Sequence, residues 1–242
     1  MFAPDVTEAQ ARELVASVER CLQAFEVFPG VRLPGAYDPA GIWTKLDLAS
    51  RCVGKRALEI GPAEGYYTKQ LAGAGADVTA LDYRSKDETR FWVMERLSGR
   101  AFPYVQGNIL DPTLSTIVGV FDIVLFMGVI YHLPDLVRGL DNCRSLCRGT
   151  LFLESLCDND LPAEVPAARY LPANSERGDW TNFWAPNRAC LEALLRDCGF
   201  DPVRCEAWGD RVLFEASVTQ RPGARLKTDL AYSRARGGST AV

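Results

Sequence analysis

The residues best suited to binding a small molecule begin at Glu59-Ile-Gly-Pro-Ala-Glu-Gly65. Gly61 and Gly65 let a backbone approach a ligand closely and pack a strand against the helix that follows it. Glu59 stands at the strand end, where a carboxylate can meet the amino group of a cationic ligand. The loop holds no Lys or Arg to neutralise a pyrophosphate, so an adenosine-bearing methyl donor fits it better than a dinucleotide does. An ordinary strand–helix turn would use the same residue types. Asp82 adds a carboxylate that can accept the hydroxyls of a ribose. Its alternative role is to cap the next helix, although Ser85 serves that purpose equally well. Asn108-Ile109 supplies an amide for an adenine edge and an aliphatic side chain for its face, in a place where turn asparagines are also common.

A second group of residues could act on an acceptor. His132 is the only histidine, and it is the candidate general base for a hydroxyl. A single loop histidine can equally be a hydrogen-bonded structural residue. Tyr131 is placed to orient a ligand. Glu154, with Asp158 and Asp160 after it, could bind sugar hydroxyls, orient His132 or hold a divalent cation such as Mg, to which the sequence does not commit. Tyr170, Asp179, Trp180, Phe183 and Trp184 mix flat apolar faces with a carboxylate, which suits a carbohydrate. The same aromatics could instead anchor the loop to the core.

The elements that must position these residues alternate in type. Thr7 to Gln10 reads as a capping box, and the apolar spacing from Ala11 through Phe25 predicts one helix, ended by the Pro/Gly punctuation of Pro29 to Gly35. A second helix is expected from about Pro39 to Ser50. Strands are predicted at Arg56–Ile60, Asp77–Leu81, Phe102–Gln106, Phe121–Phe126 and Thr150–Glu154, with helices at Gly65–Ala74, Glu88–Leu97 and Asp135–Cys147. A helix over Pro186–Cys198 precedes two strands, Val203–Trp208 and Arg211–Ser217, that flank the hairpin signature Gly209-Asp210. The expected fold is α/β and Rossmann-like. Its seven-stranded, mostly parallel sheet carries helices on both faces and an antiparallel C-terminal hairpin. Residues 1–50 form an N-terminal helical cap and 51–219 the main domain. An acceptor-binding insertion is expected at about 157–185, and a partly disordered polar tail at 220–242.

Composition narrows the partners. Hydrophobic residues make up 48% and charged residues 24% of the chain, an ordinary soluble balance. A net charge of −4 argues against a protein built around a nucleic-acid backbone. The basic stretch Arg221, Arg225, Lys227, Arg234 and Arg236 reads as a solvated tail. No apolar run reaches the ~20 residues of a membrane helix, and Met1 to Gln10 lacks the features of a secretory signal. The eight cysteines contain no Cys-x-x-Cys pair and read as buried, reduced thiols. A cytoplasmic protein acting on a small molecule is expected, with a homodimer left open.

The motif order resembles the class I S-adenosylmethionine-dependent methyltransferases. It is similar in more detail to the tRNA wobble-uridine carboxymethyltransferase-like branch. Phe121-Asp-Ile-Val-Leu-Phe-Met-Gly-Val-Ile-Tyr-His132 carries that likeness, supported by Trp43 to Asp47, Gly65-Tyr-Tyr67, Leu153-Glu154, Arg169-Tyr170 and Cys198-Gly-Phe200. The resemblance implies that Glu59, Gly61, Gly65, Asp82, Asn108 and Met127 surround S-adenosylmethionine, with Tyr83 and Ile109 beside them. It also implies that Tyr131 lies near the transferred carbon. Ala63 stands where a glycine is usual, Leu133-Pro134 stand where the branch often has two arginines, and the N-terminal extension is shorter. These departures favour ordinary S-adenosylmethionine and a small hydroxyl acceptor, such as a sugar or glycan precursor. A tRNA-modifying enzyme and a non-catalytic cofactor-binding scaffold are the alternatives.

Overall fold

Strands and helices follow one another in the computed structural model largely where apolar periodicity puts them. The structure describes residues 5–173 and 178–219. The tail expected over 220–242, with its basic stretch, lies outside the described residues. The chain divides into two compact units at Asn108/Ile109.

The first unit opens with α1 (Glu8–Ala16), β1 (Glu26–Phe28), β2 (Val31–Arg32) and α2 (Ala40–Leu46). Thr7 and Gln10 form the expected capping box on α1. However, α1 stops at Ala16 instead of running to Phe25, and β1 and β2 form a hairpin, so residues 1–50 are not helical throughout. The reason is a buried carboxylate. Glu64 accepts the backbone N–H groups of Leu22 at 2.7 Å and Gln23 at 3.0 Å. A helix would have committed those donors to carbonyls four residues back. Arg20 turns the chain there with a φ of 53°. Gln23, itself buried, returns its side-chain oxygen to the N–H of Tyr66 at 3.0 Å. The extended segment is thus tied to the glycine loop at both ends of Glu64-Gly65-Tyr66.

Then come β3 (Arg56–Ile60), α3 (Tyr66–Gly73), β4 (Asp77–Asp82), α4 (Lys86–Thr89), α5 (Phe91–Ser98) and β5 (Tyr104–Gln106). The expected single helix over Glu88–Leu97 is split at Arg90, whose φ of 60° breaks it. Ser85, not Asp82, caps α4, in a capping box with Glu88. β3, β4 and β5 are parallel, with Ile60 opposite Leu81 and Asp82 opposite Gln106. Their carboxyl ends therefore lie side by side. Ala57, Leu58, Ala80 and Leu81 are fully buried, as expected for strands covered on both faces.

The second unit contains α6 (Leu114–Val118), β6 (Phe121–Met127), a single 3-10 turn over Ile130–His132, α7 (Leu136–Leu146) and β7 (Cys147–Leu156). It continues with β8 (Ala168–Tyr170), β9 (Trp184–Pro186), α8 (Arg188–Asp197), β10 (Phe200–Trp208) and β11 (Arg211–Val218). β6 and β7 are parallel, and β11 runs antiparallel to both β7 and β10. Gly209-Asp210 makes the terminal hairpin turn, as read from the sequence. The seven main strands are mostly parallel with an antiparallel C-terminal hairpin, the α/β class expected. The insertion contributes a short ladder, with Tyr170 opposite Trp184. All eight cysteines are free thiols, buried or half-buried. Among the described residues no helix is long and apolar enough to cross a membrane.

Gly65 is required by geometry. Its φ is +91°, and a Cβ there would stand 2.6 Å from Met94 Cε and 2.8 Å from the Phe91 ring. Left-handed strain and overpacking add, so Gly65→Ala is expected to cost about 2–4 kcal/mol. Urea unfolding checks this; a loss below about 0.5 kcal/mol would show that α5 yields freely.

Candidate active site

The first unit gathers three of the candidate positions, Glu59, Asp82 and Asn108, at adjacent strand ends. Glu59, in β3, is fully buried and accepts the hydroxyl hydrogen of Thr68 from α3. Burial pushes its carboxyl up to about 8, against the lowering effect of Thr68, with nearby Asp82 raising it further. Such a carboxyl favours the neutral form until a cation arrives. After β3 the loop turns through Gly61 (φ 72°) and Ala63 (φ 48°), and closes with Gly65 N–H on Pro62 O at 2.8 Å. Ala63 thus holds a left-handed conformation that glycine adopts more readily.

Asp82, at the end of β4, is buried and already partnered. Its Oδ1 accepts Arg84 N–H at 2.9 Å and Arg84 Nε at 3.2 Å, and its Oδ2 accepts Arg84 Nη2 at 3.1 Å. A ribose diol would have to displace the guanidinium while the backbone bond stays. Tyr83 is exposed beside it, with the Arg84 guanidinium 5.5 Å from its ring centroid. Gly107 N–H donates to Asp82 O at 2.8 Å, which brings the exposed Asn108 to the end of β5. The residues present fit an adenosine-bearing cation: a glycine loop, a buried carboxyl with no cationic partner among the described residues, and a carboxylate at the next strand end. Ile109 opens the second unit, buried, with its carbonyl accepting Asn142 Nδ2 at 2.7 Å.

In the second unit the site is organised by an arginine that sequence reasoning missed. Arg211, the first residue of β11, donates Nε to Glu154 Oε1 at 2.5 Å and Nη2 to Glu154 Oε2 at 2.7 Å. Its guanidinium also lies 4.9 Å from the Tyr131 ring centroid and donates to Tyr131 Oη at 3.2 and 3.3 Å. Glu154, the candidate catalytic carboxylate, is therefore half of an ion pair with Arg211. Burial lifts the Tyr131 hydroxyl above its ordinary value, although Arg211 pulls it down. Met127 lies opposite Glu154 in the ladder, and Gly128 N–H donates to Glu154 O at 3.0 Å. Gly128 has a φ of 69°, and a Cβ there would touch Glu154, Tyr131 and Arg211 at 3.6–3.7 Å. The Met-Gly-Val-Ile-Tyr-His string is thus a turn that wraps this ion pair.

His132 continues that turn. Its Nδ1 lies 2.9 Å from Thr181 Oγ1, which donates to Asp179 Oδ1 at 2.6 Å. Thr181 was also missed. Phe183 N–H donates to Tyr131 O at 2.9 Å, and Trp184 Nε1 to Pro134 O at 3.2 Å. Phe183 and Trp184 are therefore anchors of the His132 turn. Trp180 is largely exposed. Tyr170 meets Trp184 edge-on, with ring centroids 5.4 Å apart, and lines a cavity of about 460 Å³. Asp158, Asn159, Asp160, Arg169 and Asp210 supply that cavity's polar lining. Its wall includes Leu156, Leu171 and Ala185, against which Tyr131 packs. Asp158 pairs with Arg169 at 2.6 Å, and among the described residues no group of three or more His, Cys, Asp or Glu is placed to hold a metal ion.

Two outcomes follow. Removing Arg211 leaves Glu154, only 4% exposed, as an unpaired buried charge. Arg211→Ala is expected to cost about 3–5 kcal/mol, and adding Glu154→Gln should recover part of it; additive losses in a double-mutant cycle would contradict the coupling. Glu59 gives a pH signature. The folded chain keeps its proton up to about 8, whereas the unfolded chain releases it near ~4.3. Between those values the native state binds more protons, so this contribution is complete at low pH and is lost as pH rises through about 8. Unfolding midpoints of the ligand-free protein should therefore fall across that window, and less steeply in Glu59→Gln. Equal slopes would refute the assignment.

Comparison with known proteins places this geometry. A family model described as a methyltransferase domain matches residues 35–204. The tRNA U34 carboxymethyltransferase of Stutzerimonas stutzeri (strain A1501) is 33% identical over 193 residues, covering 75% of this chain and 56% of that protein. The Pseudomonas putida (strain W619) protein of the same name is 29% identical, covering 83% of this chain and 63% of that protein. The chain thus spans little more than half the length of the curated relatives it matches. Among solved structures, the N-terminal domain of EvdMO1 with SAH bound gives a TM-score of 0.64 at 20% identity, covering 89% of this chain and 98% of that one. The 1,6-didemethyltoxoflavin-N1-methyltransferase of Burkholderia thailandensis gives 0.55 at 17%, covering 91% and 94%. With the glycine loop, the three strand ends and the terminal hairpin in place, the chain belongs to the methyltransferase domain family and has the class I fold of the S-adenosylmethionine-dependent enzymes.

Proposed function

We propose that this protein transfers a methyl group from S-adenosylmethionine to a hydroxyl of a small polar acceptor, a sugar or glycan precursor, with His132 as general base. S-adenosylmethionine, when bound, supplies an electrophilic methyl on a sulfonium. On this reading Glu59 to Gly65, Asp82 with Tyr83, and Asn108 hold its amino acid, ribose and adenine parts, with Ile109 and Met127 completing the set. Glu59 ionises as the ligand's positive charge replaces its proton. His132 takes the acceptor's hydroxyl proton, and Tyr131, steadied by Arg211, orients the reacting groups.

The observation that carries the acceptor class is the cavity of about 460 Å³ beside Tyr131. Its size suits a sugar-sized ligand. Its carboxylates and amide can accept and donate to hydroxyls, and Tyr170 offers a flat face for a sugar ring. Three aspartates against one arginine in that lining would repel a phosphate backbone. Tyr170 and the Asp179–Trp184 segment, with Trp180 exposed, make up the acceptor side. A second reading, modification of tRNA, is favoured by the curated relatives and their printed name.

Calorimetry with S-adenosylhomocysteine should show binding that weakens about tenfold or more in Asp82→Ala; no binding would remove the shared premise. Methylation of a panel of partially methylated sugars should proceed and slow by about 10²-fold or more in His132→Ala. A full rate in that variant would exclude His132 as base. A gel shift with bulk tRNA should stay negative, and tight binding would transfer the assignment to the second reading.

A further inference from the structure

The proposed reaction requires an unprotonated ring nitrogen on His132, and the chain from Asp179 to Thr181 determines which nitrogen that is. Thr181 Oγ1 stands 2.6 Å from Asp179 Oδ1 and 2.9 Å from His132 Nδ1. The same Oδ1 accepts the Thr181 backbone N–H at 2.9 Å. Burial works to raise the Asp179 carboxyl, but the two Thr181 bonds and neighbouring His132 outweigh it and hold it below its ordinary value. An ionised carboxylate only accepts hydrogen bonds, and a hydroxyl has one hydrogen to give. Thr181 therefore spends that hydrogen on Asp179 and turns lone pairs toward His132. At 2.9 Å a bare Nδ1 would set lone pair against lone pair. Nδ1 must carry a hydrogen, and a neutral imidazole has only one.

We infer that Thr181, backed by Asp179, is a positioning residue that fixes His132 as the Nδ1–H tautomer and makes Nε2 the nitrogen that receives the acceptor's proton. This rests on the reading of His132 as base given above. In that step the acceptor O–H bond breaks, an Nε2–H bond forms, and the electron pair stays on the acceptor oxygen as nucleophile. The positive charge that develops on the ring is met through Thr181 by Asp179. Among the described residues, Tyr131 also faces His132, with ring centroids 4.3 Å apart, and the Arg211–Glu154 pair lies behind it. The turn is further pinned by Phe183 N–H on Tyr131 O, which holds the backbone carrying the ring beside the Asp179–Thr181 segment.

His132 is the only histidine in the chain, so its tautomer can be read directly. Long-range proton–nitrogen correlation spectra of untagged, ¹⁵N-histidine-labelled protein at about pH 8, where an ordinary imidazole is neutral, should show Nδ1 protonated and Nε2 bare. Thr181→Val keeps the shape and removes the hydroxyl; its spectrum should move toward a mixture of tautomers, and Thr181→Ser should restore the original. With an accepted sugar, kcat should fall on the order of tenfold or more in Thr181→Val with little change in KM, and stay within about threefold in Thr181→Ser. Asp179→Asn should move the acid limb of the kcat/KM profile to lower pH, because the imidazolium loses its counter-charge. Protonated Nε2 in the unmodified protein, or a Thr181→Val spectrum identical to it, would overturn the inference. The spectra need no acceptor, so failure of the acceptor assignment and failure of the tautomer assignment are distinguishable.

Discussion

A guanidinium held by two carboxylate oxygens and laid against a phenol ring is the interaction on which the second unit's site depends. Arg211 enters from β11, Glu154 from β7 and Tyr131 from the turn after β6. Three segments far apart in sequence thus meet at one cation. A bidentate pair fixes orientation as well as distance, which a lysine could not do. The pair lies where β11 runs antiparallel to β7, with Leu213 opposite Glu154 and Arg211 two residues along on the same face of the strand. A register slip of one residue would turn Arg211 to the other face of the sheet and lose Glu154 and Tyr131 together. The C-terminal hairpin therefore does more than close the fold, since it delivers the charge that positions Tyr131.

From Tyr131 the constraint passes along the chain to His132 and outward to the insertion. Phe183 and Trp184 hold the turn by backbone and indole hydrogen bonds, while Thr181 and Asp179 address the imidazole. A long Pro-, Asn- and Asp-rich loop would be expected to move. Here the part next to His132 is tied to it at several points, leaving Trp180 as its exposed aromatic. Such a tether is consistent with a loop that shapes a site and does not merely cover it. For the proposed reaction it places the acceptor side and the base under common control.

The strands and the glycine loop were legible because their signals are local. Arg56–Ile60 and Phe121–Phe126 are short apolar runs bounded by turn residues, and Gly209-Asp210 between two strand patterns specifies a hairpin. The extent of α1 was misread because apolar spacing continues past Ala16. What ends the helix is Glu64, more than forty residues away, whose carboxylate takes the N–H groups of Leu22 and Gln23. Arg211 was hidden in the same way. At the start of a strand it reads as an ordinary edge residue, and only the fold brings it to Glu154. Thr181 carries no signal of its own. The one available hint was Asp179 two residues earlier, an Asx-turn spacing in which Asp179 takes the Thr181 N–H and draws its hydroxyl hydrogen.

The first unit shows a different use of buried charge. Glu64 and Glu59 are close in sequence and both are buried, yet their surroundings set them apart. Glu64 is satisfied by two backbone donors and serves the structure. Glu59 is met by the hydroxyl and backbone N–H of Thr68 and, among the described residues, by no cation, and it retains its proton up to about 8. A buried acid with so little compensation is costly to ionise unless something positive arrives. The loop that follows it carries Gly61 and Gly65, and glycine backbone lets a ligand come close. A ligand carrying a cation and an adenosine would satisfy Glu59 and the neighbouring strand ends together. On the proposed reading the demand for a charged cofactor is built into the first unit, and the acceptor is met by His132 and the residues that hold it.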